Sequence, residues 1–374
     1  MVIANENENT YCKPVFCALF NIDNQHIMKE DGLLSWGMYK YHGYNSFLAT
    51  YENGSYPNLK YLPGLRMEFI PKVTGRWFID SYLWLIKNAR RIDTLFVFHM
   101  RVTTFAQVFT YKLLNPKGKV YLKFDGAPLP ENGGKLKRPF YKWLVNNSDC
   151  VSTELEYNAK LLSREWGRKI ICIPNPANPE EFVENRPFSQ RNNVILTVGR
   201  LGTQPKATEI LLEAFARIHA KIPNWTLKLV GKIEENTNIA SDFYTKYPEL
   251  KSRVVFVGEI RDRAELMGVY RDAKIFAFPS RHESFGIALT EAMMQGNFAV
   301  VSRIPTNEYL TDNYKFALSS DVDDIDGLAR SLMYACTHED EIERLALKGM
   351  NVTRERLDLK RCSDLTFYEI YGGV

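Results

Sequence analysis

The 374-residue chain lacks most of the short motifs that mark an enzyme class. No G-x-x-x-x-G-K-[ST] occurs, which argues against a P-loop nucleotidase. No G-x-G-x-x-G follows the first apolar run, which argues against a dinucleotide dehydrogenase. A G-x-S-x-G nucleophile elbow is missing too. His282-Glu283 and His338-Glu339 each lack the second histidine of H-E-x-x-H, and no Cys/His cluster has zinc spacing. No zinc site is therefore expected. The six cysteines form no C-x-x-C pair. Several sit in apolar runs, such as Cys17 in VFCALF and Cys172 in IICIP, and read as reduced core thiols of a cytosolic protein. The first residues, MVIANENENTYCK, carry neither a basic leader nor a long apolar core, so they do not read as a secretory signal. No apolar run is long enough to span a bilayer, so membrane contact is expected to be peripheral, on the inner face.

What is present is ordinary globular composition: 45% hydrophobic and 25% charged residues exclude a disordered or coiled-coil chain. At about 150 residues per domain, the length suggests two to three domains. The net charge of +4 is uneven. Residues 1–183 hold 23 Lys and Arg against 17 Asp and Glu, while residues 184–374 hold 25 against 27. A basic front half suits an anionic partner.

Short apolar runs alternate with helical patterns. They include VFCALF (15–20), NSFLATY (45–51), TLFVFHM (94–100), VYLKFDG (120–126) and IICIPN (170–175) in front. VILTVG (194–199), LKLVG (227–231), VVFVG (254–258), KIFAFPS (274–280) and FAVVS (298–302) follow behind. Runs apolar on both faces predict parallel strands covered by helices, an α/β class. Leu211, Ala214, Phe215, Ile218 and Ile222 predict a helix over 208–222, with Thr208 as its N-terminal cap. The proline-rich stretch 174–193 reads as a linker. This gives an N-terminal domain over 1–183 and a C-terminal domain over 184–355, both Rossmann-like and doubly wound. Ligands of such domains bind beyond the carboxyl ends of the strands, and two facing domains make an interdomain cleft.

Two segments of the back half carry candidate chemistry. In VILTVGRLGTQPKATEILLEAF (194–215) a strand ends at Gly199, Arg200 follows, and Lys206 precedes a helix. Two cations beside a helix N-terminus either cradle a diphosphate or are solvated loop charges. In KIFAFPSRHESFGIALTEAMMQG (274–296), Glu283 sits at a strand–helix turn and Glu291 lies on the helix. The pair either accepts hydrogen bonds from sugar hydroxyls, or is a capping acid and a solvated helix residue. Gly286 permits close approach of a ligand to backbone.

G-R-L-x₄-K followed by E-S-F-G-x₄-E resembles the retaining glycosyltransferases of family 4, which have the GT-B fold. LLEAF (211–215), LKLVG (227–231), VVFVGEI (254–260), LMGVYRDAKIFAFPS (266–280) and EAMMQG (291–296) extend the likeness over nearly the whole back half. In front it thins to KYHGYNSFLATY (40–51), NNSDCVSTELEYNAKLL (146–162) and IPNPANPEEF (173–182). The resemblance implies a retaining, metal-independent hexosyltransferase with no cofactor. Its donor is a UDP- or GDP-sugar, and its acceptor is lipid-linked or a glycan. Arg200 and Lys206 are implied to grip the diphosphate and Glu283 the donor sugar. Gly199, Ser284, Phe285, Gly286 and Ile287 are implied to present backbone to the donor. Glu291 is implied to hold the ribose, and Ile260 to meet the base. A terminal helix over 356–374 is expected to return to the first domain.

Three departures stand out. The loop NIDNQHIMKEDG (21–32) lacks the family's glycine pair. Asp125 stands where the family often has histidine, and either orients a hydroxyl or caps a turn. RIPTNEYL (303–310) replaces a glycine-rich turn.

Basic and aromatic residues interleave in GRWFIDSYLWLIKNARR (75–91) and KLKRPFYKWLVNN (135–147). Both either pack a core or meet an anionic membrane surface. Lys135, Lys137, Arg138, Lys142 and Trp143 are the candidate membrane and acceptor contacts. Nucleic acid is not expected as a partner, because no recognised module is present. A noncatalytic nucleotide-sugar-binding subunit is the competing reading.

Overall fold

The computed structural model describes residues 13–124, 138–181 and 186–372. The chain divides into two compact units, Met1–Pro176 with Leu359–Val374, and Ala177–Asp358.

The first unit is built on β1 (Val15–Leu19), α1 (Glu30–His42), β2 (Asn45–Thr50), β3 (Arg66–Phe69), α2 (Trp77–Asn88), β4 (Thr94–Phe98) and α3 (Val102–Leu114). It continues through β5 (Lys119–Phe124), α4 (Arg138–Asn146), β6 (Cys150–Thr153), α5 (Glu156–Trp166) and β7 (Ile171–Cys172). The sheet order is β3-β2-β1-β4-β5-β6-β7. Every pairing in it is parallel. One face buries Leu95, Val97 and Leu122 beneath α2, α3 and α4, with Leu144 of α4 in the same cluster. The other buries Phe16, Phe96 and Tyr121 beneath α1, with Trp36 of α1 in the same cluster.

The second unit runs β8 (Asn192–Val198), α6 (Thr208–Ile218), β9 (Thr226–Val230), α7 (Ile239–Lys246), β10 (Val254–Gly258), α8 (Arg263–Asp272) and β11 (Ala273–Phe278). Then come α9 (Ile287–Met294), β12 (Phe298–Ser302), α10 (Pro305–Leu310), β13 (Ala317–Ser320), α11 (Ile325–Thr337) and α12 (Glu339–Arg356). Its sheet order is β10-β9-β8-β11-β12-β13, also parallel. The order reverses between β8 and β11, so the loops leaving these strands part to opposite sides. Such a switch point leaves a crevice at the carboxyl edge.

A last helix, α13 (Leu359–Tyr371), packs on α1 within the first unit. The His42 and Phe367 rings stack at 4.4 Å. A Cβ on Gly37 of α1 would lie 1.9 Å from Ser363 Oγ, so only glycine lets the two helices come this close.

Several local expectations are corrected. Thr208 does not cap α6. Ala207 is the capping residue, in a left-handed conformation, and Thr208 Oγ1 instead accepts from Gly202 N at 3.0 Å. The α-helix stops at Ile218, and a single 3₁₀ turn covers His219–Lys221. The run at 170–175 pairs only over Ile171–Cys172, because Pro174 and Pro176 have no N–H for a ladder. The five described cysteines carry free thiols, and Cys17, Cys150, Cys336 and Cys362 are buried.

Candidate functional site

The two segments singled out in the back half meet at the switch point of the second sheet. The loop after β8 carries Arg200 and Lys206, and the loop after β11 carries Glu283. Lys206 Nζ donates to Glu283 Oε1 at 2.6 Å. Its ammonium also lies 5.2 Å from the Phe278 ring centroid, and its stem passes over Gly199. Glu283 is thus neither a helix cap nor a solvated acid.

Glycines let the strand ends converge here. Gly231, just past β9, has φ 137°, and a Cβ there would sit 1.8 Å from Gly199 O. Gly199 N donates to Val230 O at 3.0 Å.

The position of the β8 loop is fixed by a residue that the sequence did not single out. Arg281 N donates to Pro205 O at 2.8 Å, and Arg281 Nη1 to Gln204 O at 2.8 Å. The same guanidinium reaches Glu209 and Asp323 at 2.6 Å each. Burial draws its pKa down, but the two carboxylates outweigh burial and hold it above its usual value. On the other side, Thr306 Oγ1 donates to Glu283 O at 2.8 Å and holds the β11 loop to α10.

Arg200 is exposed at the mouth of the β8 loop, and it has no ion pair among the described residues. Its carbonyl accepts from Thr203 Oγ1 at 2.9 Å. Ser284 and Phe285 lead into α9, whose cap, Gly286, has φ 79°. The free N–H groups at this helix start, beginning with Ile287, give it a partial positive charge. Ile260 follows β10, at the same carboxyl edge.

Glu291 is buried within α9 rather than solvated. It accepts from Arg263 Nη1 on one oxygen and from Tyr270 OH at 3.0 Å on the other. Arg263 also grips Glu181 with two bonds, of 2.7 and 2.8 Å. Burial, then the charge of Glu291, push the Tyr270 hydroxyl well up. Burial acts to lower Arg263, yet Glu291 and Glu181 hold it above its ordinary value. Glu283 and Glu291 therefore belong to separate networks, each with its own cation. Arg263 and Glu181 lie 82 positions apart, so the sequence held no signal for their pairing.

In the first unit, Lys142 is exposed on α4 and Trp143 is half-buried. Arg138 begins α4. Asp125, Lys135 and Lys137 lie outside the described residues.

Residues 192–338 match the model of the glycosyl transferases group 1 family. An uncharacterized glycosyltransferase, YqgM, of Bacillus subtilis is 28% identical over 160 residues, 43% of this chain and 44% of that one. A D-inositol 3-phosphate glycosyltransferase of Corynebacterium glutamicum is 33% identical over 247 residues, 61% of this chain and 54% of that one. The crystal structure of Anabaena Alr3699/HepE with UDP and glucose superposes with a TM-score of 0.73 at 15% identity, covering 96% of this chain and 100% of that one. The back half of this chain is thus similar in sequence to the glycosyl transferases of group 1.

The fold of the chain is GT-B. The matching region spans about half the length of the two curated relatives. The stretch 192–338 that matches the family contains Arg200, Lys206, Glu283 and Glu291 together. Among the described residues, no helix is long and apolar enough to cross a membrane.

Proposed function

We propose that the chain is a retaining hexosyltransferase that needs no metal, moving a sugar from a nucleoside-diphosphate sugar to a hydroxyl acceptor. One observation carries the reading. A cation and a carboxylate stand 2.6 Å apart at the switch point, beside an exposed arginine. A ligand that places a phosphate next to a hydroxyl-bearing ring satisfies both groups at once. A nucleotide sugar is such a ligand. The fold neighbour crystallised with UDP and glucose makes a UDP-sugar the favoured donor, with a GDP-sugar the other choice.

In this mechanism Arg200 grips the diphosphate bidentately, and Lys206 adds a point charge. Both stabilise the negative charge that grows on the departing nucleoside diphosphate. Glu283 accepts from hydroxyls of the donor sugar. Gly199, Ser284, Phe285, Gly286 and Ile287 present backbone to sugar and phosphate, with the α9 N-terminus adding partial positive charge. Glu291, held rigid by Arg263 and Tyr270, accepts from the ribose hydroxyls, and backbone at Ile260 meets the base.

The acceptor hydroxyl attacks the anomeric carbon from the face that the phosphate leaves. The C–O bond to the nucleoside diphosphate breaks as the new C–O bond forms. The departing phosphate oxygen takes the hydroxyl proton, and configuration is retained. Asp125 orients a hydroxyl of donor or acceptor.

The acceptor is lipid-linked or a glycan, met by the peripheral enzyme at an anionic membrane surface on the cytoplasmic side, with Lys135, Lys137, Arg138, Lys142 and Trp143 as contacts. Titration calorimetry with UDP and with GDP tests the donor site. One of the two binds, and Glu283→Gln with Lys206→Ala removes that binding. Absence of binding by both nucleotides overturns the reading.

A further inference from the structure

The outer face of the first unit has a property that α2 and α4 alone did not reveal. The helix between them, α3, turns an uncharged stripe outward. Phe109 is 47% exposed and Leu113 is 69% exposed. Val102, at its start, is exposed as well. On α2, Phe78, Leu83 and Ile86 are exposed although Trp84 and Leu85 of the same helix are in the core. A helix apolar on both its inner and outer sides is not the pattern of a water-facing helix.

The three helices form one continuous surface. Thr110 Oγ1 donates to Tyr82 OH at 3.1 Å, and Gln107 Nε2 to Ser81 Oγ at 3.0 Å, which pins α3 to α2. Phe105 of α3 meets Phe140 and Trp143 of α4 at 5.0 and 5.2 Å between ring centroids. Contiguous apolar surface of this kind marks an interaction site.

Charge says what covers it. Residues 71–119 hold nine Lys or Arg, two Asp and no Glu. Asp80 is buried, and both aspartates are engaged by hydrogen bonds. Asp80 accepts from Tyr51 OH at 2.6 Å and Thr74 N at 2.9 Å, and Asp93 accepts from Val15 N at 2.6 Å. Arg76 and Arg101 are exposed before α2 and α3, and Lys87, Arg90 and Lys117 are exposed at or beyond their far ends. None of these five has an ion pair among the described residues. Cations of one sign thus bracket an apolar face. That arrangement complements a layer with apolar chains inside and phosphates at its rim.

We propose that the outer face of α2, α3 and α4 docks on an anionic bilayer, with Phe109, Leu113 and Ile86 entering the headgroup–acyl boundary. The proposal deepens the reading of an acceptor at a membrane surface by naming the face, and rests on that reading only for where the acceptor lies.

Co-sedimentation of the whole chain with vesicles of phosphatidylcholine and phosphatidylglycerol in equal parts is the test. The chain is retained at low salt and released as salt rises. Phe109→Asp with Leu113→Asp lowers retention about tenfold or more. Lys87→Glu with Arg90→Glu, which touches no core residue, also lowers retention. No retention at low salt overturns the proposal, as does retention that both double variants keep. Light scattering that finds a dimer dissociated by Phe109→Asp and Leu113→Asp also overturns it, because a second copy then covers the face. Vesicle binding is read without any donor sugar, and donor turnover without any vesicle. A failure of one reading is therefore distinguishable from a failure of the other.

Discussion

At the scale of single residues, the second unit separates an exposed arginine from groups locked in buried ion pairs. Arg200 is exposed and bears no packing load. Arg200→Ala is expected to lower kcat by about 10²–10³-fold, the usual loss for one stabilising donor, with an unchanged melting temperature. Steady-state kinetics beside a thermal melt checks both. Arg263 is different, because it makes a fork to Glu181 and a further bond to Glu291. Lysine keeps the charge but cannot make the fork. Arg263→Lys is expected to raise the donor KM about tenfold and to change kcat little, because Glu291 is proposed to bind ribose, away from the bond that breaks. A kcat loss as large as that of Arg200→Ala would assign Arg263 to the reacting centre instead. The placement of Lys206 and Glu283 in the loops after β8 and β11 was legible, because each lies shortly past an apolar run. Arg281 and Arg263 were not, because their partners sit on distant segments brought near only by strand order.

At the scale of elements, the apolar runs located the central strands of both sheets. The missed strands are β3 (RMEF), β6 (CVST) and β13 (ALSS). β3 and β13 are edge strands, and β6 is short and rich in hydroxyls, so none carries a continuous apolar signal. The turn before α6 also misled. Thr208 has a capping residue's chemistry, but the left-handed Ala207 takes the capping place and leaves the Thr208 hydroxyl to hold Gly202. The packing of α13 on α1 depends on the missing side chain of Gly37. Gly37→Ala is expected to destabilise the chain by about 1–3 kcal/mol, as overpacking does, measured by denaturant unfolding. Gly43→Ala makes a useful comparison at the end of α1, because a Cβ there meets nothing within 4 Å and only its φ of 70° opposes it.

At the scale of the whole molecule, the basic front half and near-neutral back half place their cations differently. In the front unit Arg76, Lys87, Arg90, Arg101 and Lys117 bracket an apolar face, and in the back unit Arg200, Lys206 and Arg281 lie in the loops after β8 and β11. The α1–α13 contact also sets a pH response. Burial holds His42 below its ordinary pKa of 6.5, against the pull of Asp364, while Lys360 adds to the lowering. As pH falls, the unfolded chain takes up this proton first. The stability from neutral His42 is therefore complete above about pH 6.5 and is lost as pH falls through the lower folded value. The melting temperature is expected to fall between about pH 7.5 and 5.5, with a shallower slope in His42→Gln. The most direct test of the central claim is the release of nucleoside diphosphate by the whole chain from a panel of UDP- and GDP-sugars, with a chelator present. The account predicts release from at least one donor, unaffected by chelator and abolished by Lys206→Ala with Glu283→Gln. Release that survives this double substitution, or no release from any donor with lipid-linked and glycan acceptors supplied, would contradict it.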